Sequence, residues 1–146
     1  MFVLILLIVP LATYHTYFLS WAENKNTYEA FDVSSWHLGE FLAGTAPEIK
    51  KYIVVNTLGT PVRGIPMPAQ SVMFATNTFT QTEQEKKNFL YLAGGDIQTN
   101  IAILAGQKTI IAFLNGSDHA LIRDIQKKYP GLSVKVPGDF VVLQNY

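Results

Sequence analysis

The stretch Lys51-Tyr-Ile-Val-Val-Asn56 predicts the centre of the fold, because it is a short, continuous run rich in apolar and β-branched residues. Such a run is typical of a strand that is covered on both faces, as in a parallel sheet. Two similar runs follow, Phe89-Leu-Tyr-Leu-Ala93 and Lys108-Thr-Ile-Ile-Ala-Phe-Leu114. Helical patterns separate the three runs. This alternation predicts parallel strands joined by helical crossovers.

The C-terminal end predicts an antiparallel hairpin. Residues 132–136 and 140–144 are both strand-like, and Pro137-Gly-Asp139 joins them with turn residues. The fold class that we expect is therefore α/β. Residues 34–146 should form a small Rossmann-like, three-layer domain with a mostly parallel sheet and a C-terminal antiparallel hairpin.

Helices are predicted from apolar periodicity and from capping residues. A first helix should begin at Ser34 or Ser35 and end at Gly44, with Trp36 in the core. A second should run from Pro68 to about Ala75. A capping box is predicted over residues 82–85, and Asp96 and Ser117 are predicted to cap two further helices. The residues that these two helices should turn inward are Ile97, Ile101 and Leu104 in the first helix and Leu121, Ile122, Ile125 and Tyr129 in the second.

The N-terminal stretch of residues 2–21 contains no formally charged side chain. At about 1.5 Å per residue a helix of this length reaches roughly 30 Å, the thickness of the hydrocarbon core of a bilayer. We therefore predict a transmembrane helix over residues 1–22 and a polar linker over residues 23–33. Tyr14, Tyr17 and Trp21 would form an interfacial aromatic belt. A signal peptide cleaved after Ala22 and an amphipathic or buried helix are the alternatives.

Composition excludes several classes of function. The 11 basic and 11 acidic residues cancel and do not cluster, so binding to nucleic acid is not expected. There is no cysteine, which rules out a disulfide framework, a thiolate metal site and a cysteine nucleophile.

A candidate ligand site lies where the predicted strands end. In an open α/β sheet, ligands bind in the crevice beyond the carboxyl ends of the strands. Helix starts there would also offer backbone N–H groups to an anion. The alternative is that these residues are ordinary caps and turns. No nucleotide-binding glycine motif accompanies them, so no cofactor is predicted. The candidate ligand-binding residues are Asn56, Thr57, Gly95, Asp96, Asn115 and Ser117.

No catalytic or metal-binding constellation is predicted. The three histidines, His15, His37 and His119, lack a second ligand at a spacing such as HExxH, so zinc is not expected. A Ser-His-Asp set of Ser117, His119 and Asp96 has no GxSxG elbow to support it. The segment from Asn115 to Ser117 is also an N-glycosylation sequon, although an ordinary Asn-Gly turn explains it equally well.

Several segments together carry a family resemblance. In chain order they are Tyr17-Phe-Leu-Ser-Trp-Ala22, Trp36-His-Leu-Gly-Glu-Phe-Leu42, Lys51-Tyr-Ile-Val-Val-Asn56, Arg63-Gly-Ile-Pro-Met-Pro-Ala-Gln70 and Gly138-Asp-Phe-Val-Val142. The pattern resembles the C-terminal end of GT-C-type multi-pass membrane glycosyltransferases, the family of dolichyl-phosphate-mannose protein mannosyltransferases and aminoarabinose transferases.

The resemblance implies a polyprenyl-phosphate-sugar donor and transfer on the extracytoplasmic side of a membrane. It implies that the catalytic carboxylates lie in an early loop, which this sequence does not contain, so no catalytic residue is carried over. We therefore expect an accessory domain that packs on the transmembrane bundle of a longer chain and positions the acceptor. The alternatives are a complete single-span protein whose α/β domain binds a small ligand or a protein partner, and a secreted enzyme released after Ala22.

Overall fold

The computed structural model describes residues 2–21, 24, 26, 27 and 32–146, with side chains from residue 8 onward except those of residues 96 and 98. The chain divides into two compact units, residues 1–33 and 34–146. Most of the predicted linker over residues 23–33 lies outside the described residues.

The first unit is helical but differs from the predicted single α-helix. Helix α1 spans Phe2–Tyr14, and a π-helix continues from His15 to Trp21. The change follows the sequence, since the aliphatic run gives way to aromatic and polar residues, and the wider π-helical turn replaces i→i+4 hydrogen bonding. The predicted transmembrane α-helix over residues 1–22 is not supported. In the part of the chain that is described, no helix has both the length and the hydropathy that crossing a membrane requires.

The second unit is built on a five-stranded sheet. Its strands are β1 (Lys50–Val55), β4 (Phe89–Ala93), β5 (Thr109–Phe113), β6 (Ser133–Lys135) and β7 (Val141–Gln144), in the order β4-β1-β5-β7-β6. Strand β1 pairs in parallel with both β4 and β5. Strand β7 is antiparallel to β5 and to β6, so four of the five strands run in one direction. The predicted α/β class, the mostly parallel sheet and the C-terminal hairpin are confirmed.

Helices cover both faces of this sheet. They are α2 (Val33–Ala43), α3 (Gln70–Thr76), α4 (Gln81–Lys86), α5 (Ile97–Asn100) and α6 (His119–Lys128). Side chains alternate across β1: Ile53 joins a core cluster with α2 and α3, while Tyr52 and Val54 join a second cluster with α5 and α6. Burial on both faces explains why the strand sequences are continuously apolar.

Several helix boundaries differ from the predictions. The capping box is formed by Thr80 and Glu83, not by residues 82–85. Helix α6 is capped by Asp118, whose carboxylate accepts from the Leu121 N–H at 3.2 Å, and not by Ser117. In each case the cap lies at the position whose side chain reaches the free N–H groups of the first turn.

Two predictions of buried positions were also wrong. Helix α5 ends at Asn100, so Leu104 is not part of it and is 68% exposed. Trp36 is 37% exposed and packs against Phe74 of α3, with ring centroids 5.9 Å apart. Trp36 therefore belongs to the rim of the α2–α3 contact and not to the core.

A small hairpin that the sequence did not predict lies between β1 and α3. Its strands are β2 (Pro61–Val62) and β3 (Ile65–Pro66), which pair antiparallel. The two residues between them, Arg63 and Gly64, have φ angles of 52° and 82°. Positive φ at both central residues is what a type I′ turn requires. A 3-10 turn, Met67–Ala69, then leads into α3.

Lys51 is buried at the amino end of β1, with 1% of its surface exposed. Its Nζ donates to the carbonyl oxygens of Ala46 and Ile49 at 2.9 Å each, and to that of Lys87 at 3.3 Å. Burial lowers the pKa of this ammonium, and nearby Glu48 partly opposes the shift. The lysine ties the turn before β1 to the residues before β4.

Candidate functional site

The loops after β1 and β5 meet at the carboxyl edge of the sheet. The chain leaves β1 towards α3 on one face and leaves β5 towards α6 on the other, since α3 and α6 belong to different core clusters. Ligand-binding crevices of open α/β sheets lie between neighbouring strands whose connections diverge in this way. Asn56 and Thr57 follow β1, and Asn115 and Ser117 follow β5.

Asn56 joins the two strand ends. Its Oδ1 accepts from the backbone N–H of Asn115 at 2.8 Å, and its Nδ2 donates to the Asn115 carbonyl at 3.0 Å. The side chain thereby continues the ladder beyond the bond from the Leu114 N–H to the Val54 carbonyl, which measures 3.1 Å. The Asn56 carboxamide is thus engaged in holding the sheet together.

The residues after β5 form a tight turn. The Asn115 Oδ1 accepts from the Ser117 N–H at 3.1 Å, an Asx-turn that leads into α6. Gly116 is required here for space, because a Cβ at this position would lie 2.9 Å from Cγ2 of Val141. The backbone at Gly116 therefore lies close to β7. The Asn-Gly turn seen in the sequence did not predict this contact.

Thr57 differs from its neighbours in that its hydroxyl has no partner. Within the described part of the chain, its buried Oγ1 makes no hydrogen bond. An unpaired buried hydroxyl costs about 1–3 kcal/mol.

The remaining predicted residues lie in the turn after β4. Gly94–Asp96 form a 3-10 turn, in which Gly94 has a φ of 66° and Gly95 is exposed. The side chain of Asp96 lies outside the described residues. Among the described residues, no hydrogen bond joins Gly95 to Asn56 or Asn115.

Hydrogen bonds between the loops after β1 and β5 close the predicted site, so it is not an open crevice. Asn56, Asn115 and Ser117 are brought together, but their contacts are made mainly with one another. Among the described residues, no group of three or more His, Cys, Asp or Glu side chains is placed to hold a metal ion. The His37 Nδ1 lies 3.2 Å from Oδ2 of Asp139, on the surface of the domain.

A pocket that the sequence did not predict lies beside β4, an edge strand of the sheet. It has a volume of about 860 Å³, in the range of small-molecule sites. The β2–β3 hairpin, α3, α4 and β4 form its walls. We call it the Arg63 pocket, and its lining residues are Val62, Arg63, Ile65, Gln70, Met73, Phe79, Thr80, Gln81, Gln84, Glu85, Phe89 and Leu90.

Six of the twelve residues that line the Arg63 pocket are apolar and six are polar or charged. The polar groups differ in how they are used. Glu85 accepts from the Gln81 Nε2 at 2.8 Å, and the Gln84 Nε2 donates to the Thr78 carbonyl at 3.0 Å. Within the described part of the chain, the Arg63 guanidinium and the Gln70 carboxamide make no hydrogen bond or ion pair. Arg63 therefore brings five unused donors to the pocket.

A chain of hydroxyl groups connects α3 and β4, two of the elements that line the pocket. The Thr76 Oγ1 donates to the Val72 carbonyl at 2.7 Å and lies 2.8 Å from the Thr78 Oγ1, which lies 2.7 Å from the Tyr91 hydroxyl. Burial raises the pKa of Tyr91, and the hydrogen bonds from Thr78 and Thr76 partly offset the shift. The network ties the end of α3 to strand β4.

One sequence signal could have identified Arg63. An arginine followed by glycine, between two short extended segments, marks a two-residue turn that forces a non-glycine residue to positive φ. The prolines at positions 61 and 66 hid this hairpin, because proline is unfavourable in strands.

Comparisons with known proteins do not assign the chain to a family. No family model matches it, and neither the curated proteins nor the solved structures contain a match.

Proposed function

We propose that the chain is a membrane-anchored accessory domain of a GT-C-type glycosyltransferase. In this proposal residues 1–22 lie in the membrane, and residues 34–146 form an extracytoplasmic domain. The domain packs on the transmembrane bundle of a longer chain and helps to position the acceptor, while the catalytic carboxylates lie elsewhere in that chain. The donor is a polyprenyl-phosphate-linked sugar.

The observation that carries the membrane part of the proposal is the exposure of the N-terminal helical segment. Every described side chain from residue 8 to residue 21 is exposed, including Ile8, Val9, Leu11 and Phe18. Residues 2–12 are apolar without exception, and residues 2–21 carry no formal charge. A helix that is apolar all round needs a non-aqueous environment on every side. A lipid bilayer supplies that environment, and so do neighbouring transmembrane helices.

The transferase part rests on the resemblance of the sequence segments to the C-terminal end of GT-C-type glycosyltransferases. Holding an acceptor in the productive orientation contributes to the rate without any catalytic group in the domain.

The test of anchoring is a pair of matched substitutions in the 146-residue chain expressed by itself, so that no other transmembrane helix retains it in the membrane. Leu11→Arg places a charge in the middle of the apolar segment, which costs about 2.5–3.5 kcal/mol in a membrane helix. Leu58→Arg makes the same change at a loop position of the α/β domain that is 100% exposed. After carbonate extraction, the Leu58→Arg protein should remain with the membranes, and Leu11→Arg should move largely to the soluble fraction. Equal membrane retention of both variants would argue against a membrane helix.

The test of the transferase part uses native protein captured with an antibody to residues 34–146. Captured material should transfer labelled sugar from a polyprenyl-phosphate-sugar donor. If the captured chain has no such activity and its mass is that of the sequence alone, 16.3 kDa, the transferase proposal fails.

A second candidate is a single-span membrane protein whose α/β domain binds a small ligand or a protein partner. The Arg63 pocket favours it, because a pocket of about 860 Å³ is large enough for a small molecule. The mass of the native chain separates the two candidates.

A further inference from the structure

We propose that the Arg63 pocket binds an amphiphilic acid, that is, a molecule with one carboxylate or phosphate group and a short apolar body. This inference does not depend on the proposed function, since all of its evidence lies in residues 34–146.

The first observation is the backbone of Arg63. Its φ of 52° lies in the left-handed region, where only glycine, asparagine and aspartate are common. In a two-residue hairpin turn, Asn-Gly is the sequence that the fold prefers. Arg63 is exposed, so packing does not explain its presence either. A backbone conformation that is unfavourable for its side chain points to a role for that side chain.

The second observation is the environment that the Arg63 side chain shares. The apolar residues of the pocket lining include Ile65 of β3, Met73 of α3, Phe79 of the loop before α4 and Phe89 of β4. Phe79 is 40% exposed, so an aromatic face is available to a ligand. An apolar body placed against these residues would leave water, while a polar head would remain at the hairpin.

The third observation is charge. The guanidinium of Arg63 has no partner within the described part of the chain, and the unpaired carboxamide of Gln70 lines the same pocket. A guanidinium binds carboxylate and phosphate groups with two parallel hydrogen bonds. Glu85, the acidic residue of the lining, is already an acceptor for Gln81. The available donors therefore select an anionic head group at the Arg63 end of the pocket.

The experiment follows methionine methyl signals by NMR in the full chain, labelled with ¹³C-methyl methionine. Met73 lines the pocket, whereas Met67 is 56% exposed and does not line it, so Met67 is the internal reference. The probes are hexanoate, hexyl phosphate, hexanol and hexylamine. The two acids should shift the Met73 signal at lower concentration than hexanol or hexylamine do, and the tighter of the two acids identifies the head group.

Three variants separate recognition from folding. Arg63→Asn removes the guanidinium and gives the turn its preferred residue, so this variant should unfold no earlier than the wild type while its affinity for the acid falls about tenfold or more. Arg63→Gln should weaken binding similarly, and Arg123→Gln, the matched change at the exposed arginine of α6, should leave binding unchanged. Glu85→Gln should strengthen binding, because it removes a negative charge from the lining.

Two results would overturn the proposal. The first is an Arg63→Asn protein that binds the acids as tightly as the wild type. The second is a Met73 response to hexanol that equals the response to the acids, which would show a pocket that recognises apolar bodies alone.

Discussion

Helix α2 crosses α3 at Gly39, so the packing of the two helices determines whether Gly39→Ala stabilises or destabilises the fold. A Cβ at Gly39 would lie 2.6 Å from the Ala75 Cβ and 3.2 Å from the Val72 Cα. Carbon atoms in contact prefer a separation of about 3.5–4.0 Å, so Gly39→Ala would force the two helices apart by about 1 Å. Helix propensity favours alanine by about 0.8–1 kcal/mol. Overpacking costs about 1–3 kcal/mol, and we expect the steric cost to win.

The variant should therefore be less stable than the wild type by about 1 kcal/mol, measured by guanidinium denaturation of the full chain. The matched control is Gly131→Ala, because a Cβ at Gly131 meets nothing within 4 Å. That control should change stability by less than about 0.5 kcal/mol. Adding Ala75→Gly to Gly39→Ala should recover part of the loss, as coupled positions do in a double-mutant cycle. A Gly39→Ala protein that is more stable than the wild type would refute the close packing of α2 on α3.

Two further predictions concern hydrogen bonds. Tyr91→Phe should cost about 1 kcal/mol at neutral pH, because the Thr78 hydroxyl loses one of its two partners and keeps only Thr76. The pKa of Tyr91 is raised above 10.0 in the folded state, so its proton stabilises the fold fully below about pH 10 and that stabilisation is lost as the pH rises further. The stability difference between wild type and Tyr91→Phe should therefore shrink above pH 10 in denaturation curves, and a difference independent of pH would contradict the buried hydroxyl. Asn56→Ala should lower the free energy of unfolding by about 1 kcal/mol through loss of its two bonds to Asn115, whereas Asn100→Ala should not.

The strands were predictable because burial on both faces leaves a direct record in the sequence. Strand β4 was predicted with its observed bounds, Phe89–Ala93, and β1 and β5 were within one residue of theirs at each end. Helix α6 was also predictable, since Ile122 and Ile125 are buried at helical spacing while Arg123 and Asp124 are exposed. In these elements the local pattern and the tertiary environment agree.

Shorter elements were not predictable, because their stability comes from contacts that the sequence does not display. Helix α5 has four residues and depends on packing at Ile97, so the periodicity that extended it to Leu104 was misleading. The predicted helix caps were displaced by one or two residues from the observed ones, because residues near Thr80 and Asp118 also have side chains that can cap a helix. The loops after β1 and β5 were expected from the predicted strand ends, but the hydrogen bonds between Asn56 and Asn115 join two loops that are far apart in the sequence.

The Arg63 pocket could not be predicted, because its walls come from four elements whose arrangement only the fold defines. Its residues are ordinary in sequence: a proline-flanked hairpin, glutamines on a short helix and apolar residues at a sheet edge. Arg63 alone stands out, through its φ of 52°.

In the proposed function, the apolar N-terminal segment anchors the α/β domain in a membrane as part of a longer transferase. The most direct measurement is an immunoblot of native-source membranes after carbonate extraction, with an antibody to residues 34–146. The account predicts a carbonate-resistant membrane band several times larger than the 16.3 kDa of this sequence. A band of that mass in the carbonate-soluble fraction would contradict both the anchor and the longer chain.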